Sequence, residues 1–112
     1  MKITKNNPIY SLKFMFDWKS GVCLWSANEA TNKKFGDYPI VVEKLPISEE
    51  LKNELNGLIE LYDTCLSSDN PGGNLIWTKE QIDVFINKSK KVYHNLCDEL
   101  GDDYDIKYIE IF

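Results

Sequence analysis

"YSLKFMFDW", residues 10 to 18, alternates Leu12, Phe14, Phe16 and Trp18 with Ser11, Lys13, Met15 and Asp17. An extended backbone turns successive side chains to opposite faces, so this period of two predicts a strand with one face buried and the other toward water. Lys19-Ser20-Gly21 follows as a turn, with a glycine to supply a backbone angle that other residues resist, and "VCLWSA" returns as a second strand. Residues 10 to 27 therefore read as a hairpin, and the rest of the chain must cover its apolar face.

Downstream, "NEATNKKFGDYP" is polar and rich in turn formers and reads as a loop. "IVVE", between Pro39 and Pro46, offers a short edge strand whose strand character the sequence leaves open. Two amphipathic helices come next. Ser48 is an N-cap, Glu49 and Glu50 suit the positive end of a helix dipole, and Leu51, Leu55, Leu58, Ile59 and Tyr62 form one stripe running to about Cys65. "SSDNPGGN" breaks that pattern, and "WTKEQI" restarts it with a capping box of Thr78 and Gln81 and a staple between Trp77 and Ile82. Ile82, Phe85, Ile86, Tyr93, Leu96, Cys97 and Leu100 then mark a helix over residues 79 to 100, ended by Gly101. In the closing "YDIKYIEIF", Ile109 and Ile111 lie opposite Tyr108 and Phe112, which predicts a strand apolar on both faces and hence inside a sheet. The expectation is a single α+β domain over residues 1 to 112: an antiparallel sheet of three to four strands with a two-helix layer on one face, in the order β-β-(β)-α-α-β.

With 112 residues, 43% of them hydrophobic, the chain can bury a core without metals or disulfides. Eighteen acids against thirteen bases give a net charge of −5, which disfavours nucleic acid and anionic membranes as partners and favours something basic. Every base is a lysine, so the side chain best suited to clamping phosphate is missing. "MKITKNNPIY" has no continuous apolar run of the signal-peptide kind, and no stretch of about 18 apolar residues occurs, so a cytoplasmic location is expected. Cys23, Cys65 and Cys97 are odd in number, far apart and without a CxxC pair, which predicts free core thiols.

Residues of types able to carry chemistry do not converge. His94, Cys97 and Asp98 have helical spacing compatible with metal ligation but lack a fourth ligand, and nothing places the single histidine beside another cysteine as a nucleophile pair. "PGGN" has neither the spacing nor the lysine of a phosphate loop, and "KSKK" at residues 88 to 91 reads as a solvated helix face. Glu50, Glu54, Glu60 and Asp63 decorate the outer face of the first long helix. Trp18, Trp25 and Trp77 fit the core by alternation and by the staple, with a partner anchor as the other use. No enzymatic activity, cofactor or metal is expected.

One cluster stands apart. Residues 97 to 105 carry five acids, Asp98, Glu99, Asp102, Asp103 and Asp105, and no lysine. Asp98 and Glu99 occupy the last helical turn, where the negative end of the dipole costs roughly 0.3–1 kcal/mol per charge. Asp102 and Asp103 suit a turn. Repulsion among the five would be relieved by a cationic partner, so they are expected to form a partner-binding surface.

"FMFDW" followed by "CLW", then "YPI" and "LPISEEL", then a long helix ending "ELGDDYD" before a last strand, resembles the layout of small immunity proteins from bacterial contact-dependent inhibition and related polymorphic toxin systems. The resemblance implies a bacterial cytosolic protein that binds one cognate toxin domain, often a basic nuclease, and neutralises it by occluding the active site. It brings no catalytic residue. An acidic protein-binding adaptor or regulatory protein of the same fold is the alternative, and the toxin's identity and the oligomeric state stay open.

Overall fold

The computed structural model describes residues 8 to 36, 38 to 65 and 76 to 110. Four strands, β1 (Tyr10–Phe14), β2 (Leu24–Ser26), β3 (Pro39–Ile40) and β4 (Tyr104–Tyr108), form one sheet in the order β3-β2-β1-β4. Among the described residues three helices accompany them, α1 (Glu29–Phe35), α2 (Glu49–Tyr62) and α3 (Lys79–Leu100), with a 3-10 turn at Val42–Lys44. The hairpin is present as predicted, β1 and β2 pairing antiparallel with Lys13 opposite Trp25.

The sheet is mixed, not antiparallel, because β4 runs parallel to β1. Alternation reveals a strand's faces but carries no direction. Direction is set by where α3 delivers the chain: Asp103, just past its end, accepts the backbone N–H groups of both Ile9 and Tyr10 through its carbonyl at 2.9 Å, so β4 starts where β1 starts. β4 is also an edge strand in this sheet, not the inner strand expected. Within its bounds it has one buried face, Tyr104 and Ile106, and one exposed face, Asp105 and Lys107. Of the residues that suggested two apolar faces, Ile111 and Phe112 lie outside the described residues. The edge is partly blunted, since the Tyr93 hydroxyl on α3 donates to the Ile106 carbonyl at 2.6 Å.

The stretch expected to be a loop contains α1, which changes the element order. Asn28 caps it, accepting the Thr31 N–H at 3.0 Å and the Thr31 hydroxyl at 2.6 Å, and Gly36 ends it at φ 83°, a left-handed angle that favours glycine. Only Thr31 and Phe35 of this helix are buried, too few to show a period. "IVVE" is a strand only at its start, giving way to the 3-10 turn after two paired residues.

The two long helices follow their predicted stripes, and α3 also buries Ser89 and Val92, which were not part of its stripe. Leu51, Leu55 and Leu58 of α2 and Phe85, Val92 and Leu96 of α3 join Leu12, Phe14, Leu24 and Ile40 in one core. At the start of α3 both bonds of the capping box form, Gln81 N–H to Thr78 Oγ1 at 3.2 Å and Thr78 N–H to Gln81 Oε1 at 2.8 Å. The Trp77 ring meets Phe85 at 5.3 Å and Tyr62 at 6.5 Å, so it fastens α3 to α2 as well as to its own helix. The other tryptophans are less buried than alternation suggested. Trp18 and Trp25 are half-exposed, their indole N–H groups held by the carbonyls of Asp63 and Met15 at 2.9 and 2.8 Å.

Candidate functional site

α2 and α3 are antiparallel, so the N-terminus of one lies beside the C-terminus of the other. The contact is specific. Glu99 in the last turn of α3 accepts the Ser48 backbone N–H at 2.7 Å and the Ser48 hydroxyl at 2.9 Å, while the same hydroxyl oxygen accepts the Leu51 N–H at 3.2 Å. A carboxylate disfavoured by its own helix is thereby placed at the positive end of the next, where the first-turn N–H groups want an acceptor. This removes much of the anomaly that the sequence shows at Glu99.

The same junction gathers acids the sequence separated. An open groove of about 290 Å³ is lined by Glu50, Leu51 and Glu54 from α2 and by Asn95, Asp98 and Glu99 from α3. Four carboxylates thus share one depression. Glu50 and Glu54 read as solvated decoration because their neighbours lie 40 or so residues away and only helix pairing brings them in. The signal available was the pair of helix ends, an N-cap at Ser48 and a glycine stop at Gly101, which antiparallel packing must set side by side.

The five predicted acids are all exposed, but they fall in three places. Asp98 and Glu99 enter the groove. Asp102 and Asp103 form the turn into β4, with the backbone of Asp103 tied to Ile9 and Tyr10 and both side chains facing water. Asp105 stands on the other side of the sheet, paired in register with Ser11 and on the same face as Lys107. Among the described residues the ion pairs are Lys33–Glu29 at 3.3 Å and Lys52–Glu49 at 3.4 Å, both local to one helix, so none of the five has a cationic partner within that set.

No convergent chemistry accompanies this surface. Among the described residues no three His, Cys, Asp or Glu side chains are arranged for a metal ion. His94 is exposed, its ring 5.5 Å from Tyr93, and Cys97 is half-buried. All three cysteines are free thiols, and burial pushes those of Cys23 and Cys65 up from the ordinary range, the opposite of what activates a nucleophile. Burial also pushes the Tyr93 hydroxyl up to about 12, with the adjacent Cys97 adding to it.

Over residues 10 to 111 the chain matches the family described as Serratia CdiI immunity protein-like, a span that takes in every element from β1 to β4. It belongs to that family. A search of the curated proteins finds no match. The resemblance read from the sequence is thus confirmed at the level of the family, and an immunity protein's general role, neutralising a toxin by binding it, is the role of this chain. Immunity proteins are generally not enzymes, which directs attention to the surface. No helix among the described residues is long and apolar enough to cross a membrane.

Proposed function

We propose that this immunity protein occludes the active site of a cognate toxin domain, a nuclease with a basic cleft, by presenting the acidic end where α2 meets α3, and that it does so in the bacterial cytoplasm. One observation carries the reading: antiparallel pairing stacks the acids of two helices into a groove of four carboxylates, next to a turn with two more, and among the described residues no cation pairs with Asp98, Asp102 or Asp103. The fold supports this arrangement without needing all of it, since of these acids Glu99 alone, among the described residues, hydrogen-bonds across the two helices. A nuclease cleft is built to attract phosphates, and carboxylates at similar spacing compete for the same field and speed encounter. Glu99 organises the site, while Asp98, Asp102 and Asp103 are available to the partner and Asp105 meets it from the adjoining sheet face. Occlusion requires no cofactor and no catalytic residue.

Association with a cognate toxin domain tests the reading. Asp102→Lys/Asp103→Lys slows association about tenfold at low ionic strength and flattens its salt dependence, with thermal stability unchanged. A reversed protein that associates at the wild-type rate would remove these acids from the interface.

A further inference from the structure

The sheet face turned away from the helices carries a row of residues that crosses all four strands. Register places Lys107 of β4 beside Lys13 of β1, Lys13 opposite Trp25 of β2, and Trp25 opposite Pro39 of β3. The Trp25 ring is pinned by its bond to the Met15 carbonyl and packs 5.3 Å from Tyr38, which is 46% exposed. Like charges directly opposite one another destabilise a sheet. Here two lysines are so placed in a chain of net charge −5 that has eighteen acids to spend, and Asp105, the acid on the same face, forms no ion pair with either. Among the described residues no ion pair or side-chain hydrogen bond engages the lysine pair, and the core lies on the opposite face with Leu12, Phe14 and Leu24.

Resting on the toxin-neutralising reading above, we infer that this face is the second half of the interface and receives an acidic segment of the toxin domain, with carboxylates on Lys13 and Lys107 and an apolar side chain on Trp25 and Tyr38. β4 joins the two halves. The Asp102-Asp103 turn runs directly into it, and Lys107 lies roughly 13 Å along the strand from Asp103. An interface of about 800 Å² per partner spans both. Opposite charges at its two ends set the orientation in which the toxin docks, a task that an acidic patch alone performs poorly. A second copy of the chain fits less well, because lysine face and acidic end are different patches and their contact would be head-to-tail and open-ended. Two lysines flanked by Asp105 do not make a nucleic-acid or lipid surface in an acidic chain.

Titration of the cognate toxin domain into Lys13→Glu/Lys107→Glu tests the inference, with Lys88→Glu/Lys91→Glu on α3 as the matched charge control. The sheet pair weakens binding about tenfold or more, and the control stays within about twofold. Acylation of lysines in the wild-type complex gives a readout that does not depend on how the variants fold: Lys13 and Lys107 are protected while Lys88 and Lys91 stay reactive. Wild-type affinity in the sheet variant, or full reactivity of Lys13 and Lys107 in the complex, overturns the inference and leaves the toxin-neutralising reading standing. A wild-type protein that does not bind the toxin domain sinks that reading itself. Protection of the same lysines in the protein alone, with a mass that rises with concentration, assigns the face to a second copy instead.

Discussion

The two ends of the α2/α3 pair are built from different materials. At one end Tyr62, Trp77, Phe85 and Phe16 interlock, with ring centroids 5.0 to 6.5 Å apart. At the other end a single carboxylate, Glu99, grips Ser48 while its acidic neighbours stand in water. Both ends bury leucines, Leu51, Leu96 and Leu100 at the acidic one, but the outer seam is closed by rings at one end and by two directed hydrogen bonds at the other, so stability and recognition are largely separated along the length of the same helices. Substitutions should therefore sort by end: those among the rings change stability and leave the surface chemistry intact, and those among the acids do the reverse, Glu99 excepted.

The harshest way to break this division is Phe85→Ala. Phe85 is 2% exposed and touches Phe16, Tyr62 and Trp77, so its loss leaves a cavity costing about 3–5 kcal/mol. Urea unfolding measures the loss, and the protein that remains folded binds the toxin domain normally. A defect in binding with little change in stability would show that the rings are part of the interface.

Alkali attacks the packed parts next. Burial raises the Tyr93 hydroxyl to about 12, and burial likewise raises Tyr62, Tyr104, Cys23 and Cys65 above their ordinary values of 10.0 for tyrosine and 9.0 for cysteine. The native state thus keeps protons that the unfolded chain releases. The stability this provides is complete below pH 9.0, and it declines as the pH climbs through the ordinary values toward about 12. Midpoints of urea unfolding recorded from pH 8 upward follow that decline, and a midpoint that rose would reverse the sign.

Glu99→Ala is smaller, about 1 kcal/mol, since it removes two acceptor bonds at an exposed helix start. Glu99→Gln retains part of the grip and loses less. Asp102→Asn and Asp103→Asn, one turn away, change stability by no more than about 0.5 kcal/mol. If all four variants behaved alike, Glu99 would be one more surface acid and the comparison between the ends would lose its structural term. The smallest effect has the opposite sign: Glu54→Gln/Asp98→Asn relieves repulsion in the groove and raises stability by roughly 0.5 kcal/mol or less, while slowing association with the toxin domain.

What the sequence disclosed follows from where its signals are local. The hairpin and the long helices declare themselves through periods of two and 3.6, and Thr78-to-Gln81 contains a complete capping box within four residues. α1 escaped because a seven-residue helix that buries only Thr31 and Phe35 looks polar, although Asn28 three residues before Thr31 and Gly36 after Phe35 mark its ends. The parallel direction of β4 and its edge position depend on where α3 ends in space, which no pattern within residues 104 to 112 encodes. The acidic site was legible as a cluster and illegible as a place. Residues 98 to 105 straddle a helix end, a turn and a strand, so a period of two sends Asp105 to the far face, and only helix pairing brings in Glu50 and Glu54.

The register of Tyr10 with Tyr104 has a consequence in time as well as in space. β1 acquires its neighbour β2 as soon as the hairpin closes, yet its other edge stays unpaired until the ribosome has made both long helices and β4 has threaded back beside it. Loops this long close slowly compared with hairpins and helices. During synthesis the growing chain exposes a strand edge that can pair with other chains, and the Asp102-Asp103 turn is not yet anchored to Ile9 and Tyr10. The sheet, and with it the anchored Asp102-Asp103 turn, is therefore complete only in a chain that has been made through β4.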